Sequence, residues 1–104
     1  MDNVESALLF DFYAELLPEK QRECYDLRYN EDLSLAEIAE HCGISRQGAW
    51  DNIRHAENTL RETEQKLGTV NDFLAIREDL SRLEELTDGE AKEIVRRIRM
   101  RLER

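Results

Sequence analysis

The sequence predicts an all-α protein of about six helices. Apolar residues recur every three or four positions along most of the chain, which is the period of an amphipathic helix. The 104 residues include one proline and four glycines, so few helix breakers interrupt that period. Capping residues stand where the periodic segments begin and end. This length suits one small domain with an extension. We expect the domain to span residues 1–68 and the extension, residues 69–104, to pack on it.

The first helix is predicted over residues 4–17 and has an unusually wide apolar surface. One stripe consists of Val4, Leu8, Phe12 and Leu16, and an adjacent stripe of Leu9, Tyr13 and Leu17. A helix that is apolar around so much of its circumference is buried on two sides or docks on a partner. Pro18 then suits the first position of a second helix, which fades into the polar segment 30–32.

Two serines begin the third and fourth helices. Ser34 and Glu37 form a capping box at the start of the third helix, and Gly43 ends it. Ser45 caps a long fourth helix, and Gly68 is its natural stop. Its apolar positions form one continuous stripe at spacings of 4, 3, 4, 3 and 4: Ala49, Ile53, Ala56, Leu60, Thr63 and Leu67.

The last two helices are predicted to form an antiparallel hairpin, because only a short link near residues 86–88 separates them. Thr87 and Glu90 read as a capping box for the sixth helix. The apolar residues that line the fifth helix are Phe73, Ile76, Leu80 and Leu83. Those that line the sixth are Ala91, Ile94, Ile98 and Leu102.

Residues 33–56, LSLAEIAEHCGISRQGAWDNIRHA, carry a helix-turn-helix signal. Such a motif needs a small residue inside its first helix, so that the second helix can cross closely, and Ala39 supplies it. Four residues later the turn needs a positive φ, which Gly43 accepts most easily. The apolar contacts expected to lock the two helices are Ile38, Cys42, Ile44, Ala49 and Ile53. The second helix of such a motif enters the major groove by its N-terminal turns.

The nucleic-acid-binding residues predicted on the fourth helix are Arg46, Gln47, Trp50, Asn52 and Arg54. Arg46, Gln47 and Asn52 are types that read base edges, and Arg54 suits a phosphate. Trp50 has two readings: it packs against the second helix or a partner, or it contacts a nucleobase. Asp51 on the same side would repel phosphates, although a carboxylate accepts from a cytosine amine.

The formal charge of −9 excludes a protein that coats nucleic acid through bulk charge. Residues 1–32 carry −6, residues 33–68 carry −2 and residues 69–104 carry −1. The last 13 residues carry +4, and their candidate RNA- or partner-binding residues are Lys92, Arg96, Arg97, Arg99 and Arg101. These bases either contact phosphate, RNA or an acidic partner, or pair with acidic helices of the same chain, such as the first segment.

Other function classes are not favoured. No serine–histidine–acid set, phosphate loop or metal-ligand spacing is present, and His41, Cys42 and His55 form no zinc pattern, so we expect no enzyme, metal or cofactor. The acidic start MDNVE and the short apolar run Ala7–Phe10 predict neither export nor membrane insertion. Two cysteines are too few for a disulfide framework, so we expect reduced, buried thiols in a cytoplasmic protein.

The run LFDFYAELL, the segment SLAEIAE and the segment SRQGAWDNI together resemble the YlxM family of small bacterial helix-turn-helix proteins. The resemblance covers residues 8 to about 67 closely. It implies a fold like region 4 of bacterial sigma factors, the part that reads promoter DNA, and a link to the signal recognition particle pathway that rests largely on gene neighbourhood. Gly48-Ala49-Trp50 departs from the typical Ala-Val-Tyr of that family.

Two functions follow as expectations. The first is a DNA-binding regulator, and a homodimer formed through the first helix and the terminal hairpin would present two recognition helices. The second is an adaptor of the signal recognition particle, in which the basic terminal helix contacts RNA and the acidic N-terminal half contacts protein.

Overall fold

The structure, a computed structural model, describes residues 3–103 and confirms the all-α prediction. Its six helices are α1 (Asn3–Tyr13), α2 (Glu19–Tyr29), α3 (Leu35–Cys42), α4 (Arg46–Leu67), α5 (Thr69–Leu86) and α6 (Gly89–Glu103). A single 3-10 turn, Ala14–Leu16, follows α1, and no strand occurs in the described range. The helices form two compact units, one ending at Gly68 and the other beginning at Thr69. None of the helices within residues 3–103 combines the length and apolarity needed to span a bilayer.

The local signals of the helix-turn-helix are confirmed. The Ser34 hydroxyl accepts from the Glu37 amide at 3.1 Å, and the Glu37 carboxylate accepts from the Ser34 amide at 3.1 Å, which completes the capping box. Gly43 ends α3 in the left-handed region, with φ 66° and ψ 37°. The Ser45 hydroxyl accepts from the Gly48 amide at 2.9 Å at the start of α4. These bonds satisfy amides that the first turn of a helix leaves without a partner.

The core of the motif joins α2, α3 and α4. Its buried members are Cys24, Ile38, Ala39, Ala49 and Ile53, and Leu27, Leu33, Leu35, Cys42 and Ile44 pack around them half-buried. The two alanines allow close helix crossing because a methyl group keeps the backbones near each other. All five predicted locking residues therefore lie in or against this cluster.

The first helix is shorter than predicted, and only one of its two apolar stripes is buried. It ends at Tyr13, and the chain continues as the 3-10 turn. Leu9, Tyr13 and Leu17 are buried, and the Tyr13 hydroxyl donates to Glu64 of α4 at 2.7 Å. The other stripe stays open, because Val4, Phe12 and Leu16 are exposed.

Aromatic rings connect α1, α2 and α4 beside this core. The Phe10 and Tyr25 rings stack with centroids 5.3 Å apart, and Tyr29 lies 4.5 Å from Tyr25. The Tyr25 hydroxyl donates to the Ser6 carbonyl at 3.3 Å, and that of Tyr29 donates to Glu57 of α4. Burial and the bond to Glu57 raise the pKa of Tyr29, so it stays protonated and keeps donating.

Three details of the first unit differ from the sequence predictions. Pro18 occupies the position before α2, with φ −55° and ψ 148°, so the helix begins one residue later, at Glu19. The extended ψ is the conformation that a helix N-cap requires. The stripe of α4 is buried only as far as Leu60. Thr63 is half-buried and Leu67 is exposed.

The second unit is the antiparallel hairpin of α5 and α6; the predicted burial of Phe73 and Leu80 on α5 is confirmed, but the buried face of α6 is rotated from the predicted one. The buried residues are Val70, Phe73, Leu80 and Val95. Five of the predicted lining residues are exposed: Ile76, Leu83, Ala91, Ile94 and Ile98. The capping box at Thr87 is wrong as well, because α6 begins at Gly89. The Thr87 hydroxyl instead donates to the Leu83 carbonyl at 2.7 Å, at the end of α5.

Candidate nucleic-acid interface

The first two turns of α4 form the candidate interface. The left-handed Gly43 and the cap at Ser45 set the direction of α4, while Ala49 and Ile53 hold its inner side in the core. With 100° per residue, the opposite side of the helix carries Gln47, Asp51, Arg54 and Asn58. A short capped turn and a buried inner side therefore present one face of α4 in a defined orientation.

The structure leaves four of the five predicted α4 residues exposed and the fifth partly buried. Arg46, Gln47, Trp50 and Arg54 are exposed, whereas Asn52 is half-buried on the edge nearer the core. The Asn52 amide donates to the Gly48 carbonyl at 2.9 Å. The amide of Asn52 is therefore bonded to its own helix, and this side chain does not extend with the other four.

Gln47 is also partly engaged. Its amide nitrogen donates to the Asp51 carboxylate, one turn along, at 3.0 Å. The bond leaves the Gln47 amide oxygen as the acceptor that faces solvent. It also holds the half-buried Asp51 carboxylate in the centre of this face, where it would repel a phosphate backbone. Sequence inspection had placed both residues on this side without showing that they are bonded.

The exposure of Trp50 is intermediate between the two interpretations given above, packing against the second helix or a partner and contact with a nucleobase. The side chain is 46% exposed, so it is neither sealed in the core nor fully solvated. In the described part of the chain it makes no ring–ring or cation–π contact. A large aromatic surface is thus available beside Arg54.

The positive charge of this face is small and is not neutralised within the protein. Among residues 3–103, Arg46 and Arg54 form no ion pair. Glu37 and Glu40 are exposed on the preceding helix, α3. Hydrogen bonds from Ser34 hold the pKa of Glu37 below its usual value, so that carboxylate stays ionised. The interface is therefore locally mixed in charge.

The predicted basic surface of α6 divides into paired and unpaired residues. The Arg96 Nε lies 2.9 Å from a Glu84 oxygen on α5, and Arg99 contacts the other oxygen. The hydrogen bond from Arg96, with the charges of Arg99 and Arg96, lowers the pKa of Glu84. Arg97 and Arg101 are exposed and form no ion pair within residues 3–103. Lys92 is half-buried nearby.

The acid that pairs with these arginines lies in the same hairpin, not in the acidic first segment named as an example from the sequence. The spacing of Glu84 and Arg96 from the link between α5 and α6 is the sequence feature that indicates this pair. Glu84 lies three residues before Thr87 and Arg96 lies eight residues after Asp88, so the two meet across α5 and α6 when the long arginine reaches back toward the link.

The two thiols meet at the edge of the motif core. Their sulfurs lie 4.0 Å apart, and the Cys42 thiol donates to Glu23 at 3.4 Å. Both cysteines are free; Cys24 is buried and Cys42 half-buried. Burial, together with the bond to Glu23, raises the pKa of Cys42 to about 12. The described residues contain no group of three or more His, Cys, Asp or Glu side chains arranged to hold a metal ion.

Comparisons with known proteins agree with this motif. A family model, UPF0122, described as "Putative helix-turn-helix protein, YlxM / p13 like", matches residues 2–99. A UPF0122 protein of Acetivibrio thermocellus is 55% identical over 75 residues, which cover 71% of this chain and 64% of that protein. Relatives from Halalkalibacterium halodurans and Desulforamulus reducens are 47% and 44% identical, over 80% and 79% of this chain and 76% and 70% of their own lengths.

The matched region thus spans somewhat less than two thirds of the length of the Acetivibrio protein, and more than two thirds of the length of each of the other two relatives. The family model covers nearly the whole chain, including the hairpin. The chain belongs to the UPF0122 family of YlxM/p13-like helix-turn-helix proteins.

Proposed function

We propose that this protein is a DNA-binding regulator that inserts the N-terminal turns of α4 into the major groove. The observation that carries the proposal is the exposed set Arg46, Gln47, Trp50 and Arg54, projected by a helix whose inner side is fixed in the core. A recognition helix requires this combination of a rigid mount and polar side chains near its N-terminus. We also propose that the protein acts by binding and not by catalysis.

Each exposed side chain has a distinct role in this proposal. Arg46 lies in the first turn, where a guanidinium reaches the O6 and N7 atoms of guanine. The free amide oxygen of Gln47 accepts from a base amine. Arg54, about two turns further along the helix, binds a phosphate and sets the register of the helix. Asn52 takes no base contact here, since it is half-buried on the edge nearer the core and its amide nitrogen donates to the Gly48 carbonyl.

The test is fluorescence anisotropy with labelled genomic fragments from the region of the protein's own operon, at about 50 mM salt. We expect Arg46→Ala to weaken binding to the preferred fragment by about 1–3 kcal/mol and to reduce sequence preference. Arg54→Ala should weaken binding to all fragments alike and lower the salt slope by about one. Lys66→Ala, an exposed base at the far end of the same helix, is the matched control.

Removal of the Asp51 charge is a second test of the same face of α4. Asp51→Asn keeps a side chain that accepts from Gln47 and removes the repulsion of phosphates. It should tighten non-specific binding. No binding by the wild-type chain at low salt, or equal losses in Arg46→Ala and Lys66→Ala, would contradict the DNA-binding proposal.

A second candidate is an adaptor of the signal recognition particle that binds its RNA or protein without reading DNA sequence. Two observations favour it: Asp51 lies within the α4 face, and Arg97 and Arg101 of α6 are exposed and unpaired in the described part of the chain. Two unpaired arginines are enough for a local phosphate contact in a protein of net negative charge.

Capture from native cytosol, with and without nuclease, separates the two candidates. An adaptor recovers the particle, and Arg97→Glu with Arg101→Glu abolishes recovery, while Lys66→Glu does not. Recovery that is undiminished in the double variant would exclude α6 as the contact. Recovery of DNA alone, lost on nuclease treatment, would favour the regulator.

A further inference from the structure

The hairpin of α5 and α6 exposes four large apolar side chains. Ile76 and Leu83 of α5 are 47% and 45% exposed, and Ile94 and Ile98 of α6 are 42% and 47% exposed. Isolated apolar side chains are common on protein surfaces, but a contiguous group indicates an interaction site.

Helix geometry places them on the same side of the hairpin. The contact between Glu84 and Arg99 crosses from one helix to the other, so both residues face inward, as does the buried Val95. Leu83, Ile94 and Ile98 each come one residue before one of these three, and are therefore rotated back by 100°. In two antiparallel helices that face each other, a backward rotation of 100° from the inward direction points to the same side of the pair. Leu83, Ile94 and Ile98 therefore share one side of the hairpin.

Charged residues continue the two apolar rows. On α5 the row is Asp72, Ile76, Asp79, Leu83 and Leu86, and on α6 it is Ala91, Ile94, Ile98 and Arg101, with Arg97 at its outer border. Within residues 3–103, neither Asp72, Asp79, Arg97 nor Arg101 forms an ion pair. The row on α5 thus carries two acids, with the exposed Arg82 at its outer border, and the row on α6 carries Arg101, with Arg97 and the exposed Glu90 at its outer border.

We propose that two copies of this chain pair through these rows about a twofold axis parallel to the helices. This symmetry places α5 of one copy over α6 of the other and makes an antiparallel four-helix bundle. Asp79 lies eight residues before Thr87, and Arg96 lies eight residues after Asp88, so the two are level. Asp79 therefore meets the partner's Arg97, and Asp72 meets the partner's Arg101 near the end of the bundle.

Charge selects both the partner and the symmetry. A twofold axis perpendicular to the helices would place α5 on α5 and bring Asp79 toward its own copy, which like-charge repulsion disfavours. The parallel axis matches Asp72 and Asp79 with the partner's Arg101 and the partner's Arg97, and it brings Arg82 toward the partner's Glu90, as flanking charges pair in coiled coils. The surface is complementary to itself, which is the requirement for an isologous dimer. The dimer goes beyond the proposed function and does not depend on it.

The first experiment measures self-association of the full chain by sedimentation equilibrium over a range of concentrations. We expect a reversible dimer, and we expect the double variant Ile94→Glu, Ile98→Glu to weaken it by at least about tenfold. Met100→Glu is the matched control, because Met100 is more exposed than either isoleucine and lies on another side of α6. Far-ultraviolet circular dichroism checks that each variant keeps its helices.

A charge exchange tests the symmetry independently of the apolar substitutions. Asp79→Arg alone and Arg97→Asp alone should each weaken the dimer, and the two together should restore it. A wild-type chain that stays monomeric at the highest concentration would overturn the proposal. So would a dimer that survives Ile94→Glu, Ile98→Glu but is lost in Phe12→Glu, since that result would assign the contact to α1.

Discussion

Gly43 and Gly48 lie five residues apart and have opposite requirements. Gly43 ends α3 with φ 66°, and a Cβ added there would meet no atom within 4 Å. Gly48 lies inside α4, where an added Cβ would come within 3.2 Å of the Ser45 hydroxyl and 3.7 Å of Ile44. One position is conformationally restricted but open, and the other is conformationally ordinary but crowded.

We predict that Gly43→Ala destabilises the protein and that Gly48→Ala stabilises it slightly. An L-residue at a left-handed position costs roughly 1–2 kcal/mol. Alanine in a helix interior gains up to about 1 kcal/mol over glycine. The close approach to Ser45 reduces that gain, because the cap must shift by a few tenths of an ångström.

Urea unfolding followed by circular dichroism measures both changes against the wild type. Gly68→Ala should show a similar loss, because Gly68 also has φ 66° and open surroundings. A loss of stability in Gly48→Ala would mean that the Ser45 cap cannot yield. No loss in Gly43→Ala would contradict the argument from the left-handed turn.

Residue-level features divide into those that sequence predicts and those that it does not. The caps at Ser34 and Ser45 were predictable, because donor and acceptor lie three residues apart and one turn of helix fixes their distance. The bonds of Gln47 to Asp51 and of Asn52 to Gly48 are also local. They depend, however, on side-chain rotamers that compete with solvent, so spacing alone does not select them.

At the scale of helices, the orientation of α6 shows where periodicity is ambiguous. Ile94, Val95 and Ile98 are all apolar, and two neighbouring faces of the helix fit a helical stripe equally well. The contact of Glu84 with Arg96 and Arg99 accompanies the burial of Val95 and the exposure of both isoleucines. That choice involves another helix, which the pattern within α6 does not contain.

The same limit applies to α1. Both of its stripes are apolar, but only the one through Leu9, Tyr13 and Leu17 is buried. The Tyr13 hydroxyl donates to Glu64, which lies 51 residues away in sequence. The existence of the helices and the caps of α3 and α4 were therefore predictable, while the buried side of each end helix depends on its neighbours.

We predict that Glu84 makes the hairpin sensitive to acid. The hydrogen bond from Arg96 and the nearby arginine charges lower its pKa, so the ionised form is favoured in the folded state. A lowered pKa gives stability that is present above the unfolded value, near 4.3, and is lost as pH falls through the folded value. Glu84→Gln should thus be less stable than wild type at pH 7, and the difference should shrink toward pH 3.

Unfolding by urea at both pH values measures this difference. Glu85→Gln is the matched control, because Glu85 is an exposed neighbour on the same helix and forms no ion pair in the described residues. If Glu84→Gln and Glu85→Gln had equal stability at pH 7, the contacts of Glu84 with Arg96 and Arg99 would contribute nothing measurable.

At the scale of the whole molecule, the net charge of −9 is unevenly distributed: residues 1–32 carry −6, whereas the last 13 residues carry +4. Among the described residues, the exposed bases that form no ion pair include Arg46 and Arg54 on the proposed DNA-binding face of α4. A repelling bulk charge lowers non-specific affinity for nucleic acid, so the proposed DNA binding would depend on local contacts at Arg46 and Arg54. Avidity from a dimer would compensate for such weak single contacts.

The half-exposed Trp50 has a practical consequence, because it is the only tryptophan in the chain and lies in the unit formed by α1 to α4. The three tyrosines belong to the same unit, so intrinsic fluorescence comes from this unit alone, whereas helical ellipticity comes from both. Comparing the two signals during denaturation shows directly whether the units melt cooperatively. The same emission, from a ring one turn from Arg54, would report occupancy of the proposed DNA-binding face of α4 without any attached dye.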